Sequence, residues 1–524
     1  MEQKNLLESF RGLKPQELIA KIQETSATPK QSQEQVLMDI LQTAKDCEYG
    51  RKYGFADIHS VEEFREKVPV TEYADYLEMI ERMELGAEDV LFPGRTAVFL
   101  NTSGTTGKSK YIPESEKGGF VKSLVTNVRM MKIAMEYPKM MNPAYKVLAI
   151  INSAVYGTTK GGIPVGSASG QSTKSGQSSG GMGEKMPLPA PVLSYPNLSS
   201  EVMDYLTMLY ASSYENISAL MCNNVAHFNM LMKKFNAGIE QFLGDMREGT
   251  ISIELPEQLR EQLAGTWKAN PQRADRLQEI FDSKGEIKTE DLWPEFDFVG
   301  CWMSASVGRT LEEFKYLFPD KTMYFDWGYG ASEGKFNIPM VPNQSGGLIA
   351  AFGYFFEFLP VGGKQPVLLQ ETKDGEKYEL IVTSYSGFYR YNIHDIVRIT
   401  INDDGSRNME FVCKSADKIV IDGHILYSGD LTDIIEEYEQ KKNIRIRLFQ
   451  GQPEEKGLHL LVEPIHQLDQ DDFEVHVRER LLEYGIALTD ITYKEDGYRD
   501  SLFTRSLQNG KTVNQTKLPV FIGN

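Results

Sequence analysis

The sequence predicts an α/β protein: a large N-terminal domain of layered α/β sheets carrying a β-rich subdomain, followed by a small α+β C-terminal domain. Three observations predict it. The chain has 524 residues, more than one hydrophobic core accommodates. From Thr96 to about Gly330 short β-branched runs alternate with helical patterns, the signature of strands that run mostly parallel. From about Gly347 to Thr400 that alternation gives way to consecutive strands, and after about Cys413 to the order helix, strand, strand, helix, strand.

Taken in order, residues 35–46 read as an amphipathic helix, with Val36, Leu37, Ile40, Leu41 and Ala44 on one face. The strand candidates of the α/β region are Thr96–Leu100, Lys146–Asn152, Ala219–Asn223, Asp297–Met303 and Thr322–Phe325, with helices such as Phe120–Glu136 and Ser200–Leu209 between them. Asp374-Gly375 is a hairpin-turn signal inside the β-rich subdomain of about 347–400. In the last region Leu431, Ile434, Ile435 and Tyr438 mark a helix, and Ile444–Phe449 and His459–Val462 mark strands. The predicted division is 1–412 and 413–524. Gly161 to Gly183 is dense in Gly and Ser, and reads either as a surface loop or as a flexible cover over a substrate pocket.

Composition excludes several function classes. A formal net charge of −18 argues against the backbone of a nucleic acid as partner, while leaving room for a single nucleotide held by a local cluster of donors. The longest apolar runs, such as Lys146–Ile151, are far too short to span a membrane, and the first residues carry charges and no apolar h-region. Cys47, Cys222, Cys301 and Cys413 lie far apart without a CxxC, as expected for reduced thiols in a cytoplasmic protein. A monomer or weak homodimer acting on small molecules is the expectation.

The sharpest local signal is Asn101-Thr102-Ser103-Gly104-Thr105-Thr106-Gly107-Lys108-Ser109-Lys110, directly after a strand. Glycines let the backbone turn its N–H groups around an anion, hydroxyls add donors, and Lys108 and Lys110 supply charge. A Walker A loop would need a glycine where Thr102 stands and a helix starting at the loop. Here Pro113 biases Ile112 toward extended backbone, so that reading fails on both counts.

Thr102–Lys110 resembles the phosphate loop of the luciferase-type adenylate-forming superfamily, and two further segments follow in that superfamily's order. Tyr329-Gly330-Ala331-Ser332-Glu333 is similar to its second core motif, and Tyr389-Arg390-Tyr391-Asn392-Ile393-His394-Asp395 to its third. The chain resembles more closely the auxin-responsive Gretchen-Hagen-type acyl acid–amido synthetases. That likeness is carried by Tyr354–Pro360 with its Phe-Glu-Phe core, by Thr383–Arg390, and by Gly510, Val513, Asn514, Gln515, Lys517 and Pro519 at that family's spacing. Gly50–Phe55, Phe64 and Val68-Pro69 fit as well, so the resemblance runs from about residue 45 to the C-terminus.

The resemblance implies ATP and Mg²⁺ as cofactors, with a small-molecule carboxylic acid and an amine, an amino acid, as substrates. It implies that Ser103, Gly104, Thr105, Thr106 and Gly107, within Thr102–Lys108, hold the β- and γ-phosphates. Glu333 would hold Mg²⁺, Tyr329 beside Gly330 and Ser332 would stack on adenine, and Asp395 would take both ribose hydroxyls. His394 stands where the family has Gly, and the other expectation for Asp395 is an ion pair with Arg390 or Arg398. Lys517, with Lys511 as runner-up, would neutralise the α-phosphate. Lys414–Ile419 with Gly423, Gly429 and Asp430 resembles the superfamily hinge, which implies a mobile C-terminal domain that rotates between half-reactions. For the acyl pocket the candidates are Arg129, Val155, Tyr156, Met303, Ser304, Phe325 and Trp327, with core packing an equal reading of the aromatic ones. An acyl-CoA ligase and an inactive nucleotide-binding relative are the alternatives.

Overall fold

The computed structural model describes residues 6–10, 12–101, 110–150, 157–166, 182–195, 198–465, 467–508 and 518–523. Thr102 to Lys108, Val155, Tyr156, Lys511 and Lys517 lie outside them, as does most of the Gly/Ser-rich segment. The chain divides into two units. The first holds Met1–Glu376, Leu380–Ile393 and Ile399–Glu410; the second holds Lys377–Glu379, His394–Arg398 and Phe411–Asn524.

In the first unit, β1 (Val98–Asn101), β2 (Tyr111–Glu114), β4 (Gly157–Thr158) and β5 (Pro164–Gly166) make a sheet in the order β2-β1-β5-β4. A second sheet is parallel throughout, in the order β3-β6-β7-β8, from β3 (Lys146–Ala149), β6 (Ile217–Met221), β7 (Phe298–Cys301) and β8 (Met323–Asp326). These are the predicted strands; β3, β6 and β7 end earlier than predicted, where the chain leaves the ladder, and β8 runs one residue further, to Asp326. Their sequences read as unbroken apolar runs because both faces are covered. Leu148, Leu220, Val299 and Tyr324 face one core with the helices Ser200–Ser212 and Val225–Ala237; Val147, Ala219, Met221, Phe298 and Phe325 face another with Ile133 and Tyr137.

A third, seven-stranded sheet has the order β12-β11-β13-β14-β15-β10-β9. Its members are β9 (Asn337–Ile338), β10 (Gly347–Ile349), β11 (Phe355–Pro360), β12 (Val367–Leu368), β13 (Lys377–Thr383), β14 (Tyr391–Ile401) and β15 (Arg407–Lys414). Asp374-Gly375 does form a turn, with Gly375 at φ +75°, but it is not a hairpin between paired neighbours. β11 lies between β12 and β13, so the turn feeds a strand laid beyond the next one. The predicted helix at 35–46 is the C-terminal part of Pro29–Ala44, whose Val36, Leu37, Ile40 and Leu41 are all buried.

The second unit has its own core. The hairpin β16 (Lys418–Ile421) and β17 (His424–Tyr427) turns at Asp422-Gly423, both at positive φ. The helix Ser428–Lys442 follows, then β18 (Ile446–Glu454), β19 (Gly457–Pro464), the helix Gln470–Glu483 and β20 (Leu488–Tyr493), which joins the sheet β18-β19-β20. Leu431, Ile434, Ile435 and Tyr438 pack against Phe449, Leu460, Phe473, Val477 and Leu481. The predicted order of helix, strand, strand, helix, strand is there from Ser428 on, and the hairpin β16–β17 before it and the helix Tyr498–Gln508 after it are additions.

Candidate active site

The strands on either side of the predicted phosphate loop, which itself lies outside the described residues, are paired. Asn101 and Tyr111 are register partners in the antiparallel pair β1–β2, as are Phe99 and Pro113, so an extended strand follows the loop. That is what Pro113 predicts and what a Walker A architecture does not allow. Tyr73 fixes the far side: its hydroxyl donates to Tyr111 O at 3.0 Å and accepts from Tyr111 N–H at 3.0 Å. Lys110 Nζ lies 5.0 Å from the centre of the same ring. Nothing in the linear sequence marks Tyr73, which is 38 residues upstream of its partner.

At the carboxyl edge of the parallel sheet, where such folds open their ligand crevice, the organising group is Asp326, the last residue of β8. It is 2% exposed and accepts three backbone N–H bonds: Oδ1 from Met303 (3.2 Å) and Gly328 (3.1 Å), Oδ2 from Gly346 (2.8 Å). Burial raises its pKa to about 6, against the opposing pull of those N–H groups and of Arg129. Arg129, on the helix Glu116–Glu136, is 4% exposed. Its Nη2 donates to Tyr329 O at 2.9 Å and Asn337 O at 2.6 Å, and its Nε to Asn337 O at 2.9 Å. Burial lowers its pKa to about 10, with Asp326 acting the other way. Asn337 Oδ1 then accepts from Tyr329 N–H at 2.7 Å, and its amide donates to Met409 O at 2.6 Å. Arg129, one of the acyl-pocket candidates, is buried and holds the carbonyls of Tyr329 and Asn337. Gly328 is required there: at φ +76°, a Cβ would meet Asn337 Oδ1 at 2.6 Å and Arg129 Nη2 at 2.8 Å.

The loop itself closes on a bridge between Gly330 and Lys335 and on a bond from Ala331 N–H to Gly334 O of 2.9 Å. Lys122, two helical turns before Arg129 and so on the same side of its helix, donates to Ser332 O at 2.6 Å and pairs with Glu114 of β2. Glu114 also accepts from Ser386 Oγ at 2.6 Å. One helix thus ties the strand after the phosphate loop to the second motif. Tyr329 and Glu333 are 7% and 8% exposed, respectively.

The acyl-pocket candidates separate. Phe325 is fully buried in the core beneath the sheet, with Phe298 and Ile133, so packing accounts for it. Trp327 donates from Nε1 to Cys222 O at 3.1 Å, linking two strand ends. Met303 and Ser304 lie in the turn after β7, where Ala305 is held at φ +54°, a strained value for a residue with a Cβ. Gly308, which no sequence motif marks, lets the helix Ala305–Phe314 approach that turn: a Cβ there would stand 2.1 Å from Met303 O.

In the first unit Arg390 is committed to Glu357, with Nε–Oε2 at 2.8 Å and Nη2–Oε1 at 2.9 Å, and its Nη1 donates to Arg65 O and Val68 O. The Phe-Glu-Phe and Tyr-Arg segments are therefore two halves of one buried ion pair. In the second unit Asp395, 2% exposed, pairs with Lys414, and Arg398 pairs with Asp433. His394 sits at φ +61°, a conformation glycine adopts without strain. Past Lys517, the chain is anchored on β18: Gly451 N–H donates to Val520 O at 2.7 Å and Ile522 N–H to Gly451 O at 3.0 Å.

A parallel sheet with the Tyr329–Glu333 loop at its carboxyl edge, in a chain that also holds a mixed sheet and a small α+β unit, is the fold of adenylate-forming ligases. The structure of 2-hydroxyisobutyryl-CoA ligase in the postadenylation state with 2-HIB-AMP shares it, with a TM-score of 0.54 and 12% identity over 94% of this chain and 89% of that one. The family is more specific. Residues 18–323 match the GH3 family N-terminal domain and residues 347–414 the GH3 family central domain, and the chain belongs to the GH3 family. It is 23% identical over 437 residues to a jasmonoyl–L-amino acid synthetase of Nicotiana attenuata, JAR4, covering 78% of this chain and 74% of the relative. The structure of the AtGH3.15 acyl acid amido synthetase in complex with 2,4-DB matches 98% of this chain and 94% of its own, with a TM-score of 0.80 at 19% identity.

Proposed function

We propose that the chain is an ATP-dependent acyl acid–amido synthetase: it activates a carboxylic acid as an acyl-AMP and transfers the acyl group to the amine of an amino acid. The observation that carries this is the Tyr329–Glu333 loop, held by Arg129, Asn337 and Asp326 at the carboxyl edge of the parallel sheet in a chain of the GH3 family. In the first step a carboxylate oxygen attacks the α-phosphorus and pyrophosphate leaves. In the second the amine attacks the acyl carbon, its C–N bond replaces the C–O bond to AMP, and a proton is lost from nitrogen.

The residue roles follow from positioning and charge neutralisation. Thr102 to Lys108 hold the β- and γ-phosphates, Tyr329 and Gly330 flank the adenine, Asp395 takes the ribose and Lys517 meets the α-phosphate. Glu333, a buried carboxylate with hard oxygen donors, suits Mg²⁺ shared with substrate phosphates, and the ion when bound spreads the charge of the leaving pyrophosphate. The working domains are 1–412 and 413–524, the second rotating between steps, in a cytoplasmic monomer or weak homodimer. Among the described residues no helix is long and apolar enough to cross a membrane.

Acid-dependent exchange of pyrophosphate into ATP tests the first step, and Glu333→Ala is expected to lower it by at least about 100-fold. Because a CoA ligase shares the fold, the acceptor needs its own test: products formed from an amino-acid mixture and from CoA, read by mass spectrometry. Acylated CoA without any amide would overturn the amide-forming step.

A further inference from the structure

Glu114 closes β2, and its side chain is buried. Its two oxygens serve different segments. Oε1 accepts from Ser386 Oγ at 2.6 Å, while Oε2 takes the ammonium of Lys122, whose side chain is 13% exposed. The same ammonium donates to Ser332 O, the residue before Glu333, at 2.6 Å. Ser115 repeats the pattern beside it: its Oγ donates to Tyr385 O at 2.8 Å and accepts from Gly118 N–H at 2.9 Å, capping the helix Glu116–Glu136. The packing leaves no slack, since a Cβ at Gly118 would stand 2.0 Å from Ser386 Oγ and 2.5 Å from Glu114 Oε1. One carboxylate thus joins the end of β2, the loop carrying Glu333 and the turn that leads into Tyr389. Glu114, Ser115 and Lys122 all stand outside the three motif segments.

We infer that Lys122, held by Glu114, is a positioning residue that fixes β2 against the Tyr329–Glu333 loop and thereby sets the affinity for metal-bound triphosphate rather than for the nucleotide as such. The inference rests on the amido-synthetase reading. In that reaction Thr102–Lys108 and Glu333 act on one triphosphate, the first through donors to the β- and γ-phosphates and the second through the metal those phosphates share. Groups that converge on one small ligand must hold their spacing to within about 0.5 Å, which takes support from residues that do not touch it. An ammonium suits the task because its several donors let one head hold a carboxylate of one segment and a carbonyl of another. Screened from water, such a pair resists displacement more than a surface pair does. AMP has neither a β- nor a γ-phosphate, so its binding does not depend on that spacing.

The test is titration calorimetry on the full-length protein, with MgATP in the absence of any acid and with AMP, beside urea unfolding. The double variant E114Q/K122M removes both charges, keeps the side-chain volumes and leaves the net charge as it was. It should bind MgATP at least about 10-fold more weakly and AMP as tightly as wild type, with an unchanged urea midpoint. K122R keeps the ion pair and a donor for Ser332 O, and should return MgATP affinity to within about threefold of wild type. G118A drives a Cβ into the Glu114–Ser386 contact without removing a charge, and should show the same selective loss; it decides the matter if the double variant does not fold. In pyrophosphate exchange, E114Q/K122M and G118A should lower kcat roughly 10- to 100-fold with KM for the acid unchanged. Unaltered MgATP affinity in either folded variant overturns the inference. Equal weakening of MgATP and AMP marks a merely structural pair and overturns it too. Wild-type protein that binds no MgATP overturns the enzyme assignment as well, whereas wild type and variants that bind MgATP and support exchange alike sink the role of Lys122 alone.

Discussion

Asp326 shows how one buried side chain can gather the turns around a candidate site. Its carboxylate gathers the N–H groups of Met303, Gly328 and Gly346, drawing three loops to one point. Its pKa of about 6, against 3.8 for the free group, means that the folded state keeps a proton that the unfolded chain has already released. Between those values the contribution of this group to stability falls as pH rises, by about 3 kcal/mol in all, and is smallest above the folded value. Asp326→Asn removes that titration but turns an amide donor toward at least one backbone donor. Urea unfolding at neutral pH should show D326N less stable by about 1–3 kcal/mol, and the gap should widen as pH falls through the titration window. A gap independent of pH would show that Asp326 does not titrate there. His394 and Arg390 are a second lesson at this scale. Both lie at positive φ within the third motif, so the strain falls within the segment proposed to handle the nucleotide.

At the scale of elements, the helix Glu116–Glu136 acts as a strut. Lys122 and Arg129 share one side of it because seven residues are close to two turns, and between them they hold Ser332 O, Tyr329 O and Asn337 O. The helix Ala305–Phe314 does similar work on the turn after β7, and Gly308 allows the contact. Gly308→Ala would push that helix off Met303 O, since a 2.1 Å approach cannot be absorbed by backbone. The variant should lose about 1–3 kcal/mol of stability by denaturant unfolding. It should also raise KM for the acid more than KM for ATP, because the displaced turn carries Met303 and Ser304. Equal stability of G308A and wild type would show that the helix shifts freely.

At the scale of the whole molecule, the second unit carries a core independent of the first. Ile419, Leu426, Leu431, Ile435, Phe449, Leu460, Phe473 and Leu481 all lie within it and are all buried. A fragment of residues 411–524 should therefore fold alone, giving dispersed amide resonances and a cooperative thermal transition. Its small core sets the expected stability at roughly 2–5 kcal/mol. A fragment with collapsed amide dispersion would show that Lys377–Glu379 and His394–Arg398 are required for that core to form.

Element order and the parallel sheet were legible in the linear chain, because apolar periodicity and turn chemistry act over a few neighbouring residues. The same locality explains what was not legible. Phe325 and Trp327 are two residues apart in the chain, and only packing shows the first buried in the core and the second bonded to Cys222 O. Arg390 is a plausible partner for Asp395 by proximity in the chain, but the fold places Glu357 against it. Asp326, Asn337, Tyr73 and Gly308 have no motif of their own. Their roles come from contacts that chain closure creates across tens to hundreds of residues, such as the 208 separating Arg129 from Asn337. The sequence alone determined the machinery of elements and of the turns between them, since both depend on local backbone preference. The tertiary structure alone decided which buried charges hold that machinery in place, since a charge is stabilised in a core only by the partner that folding brings to it.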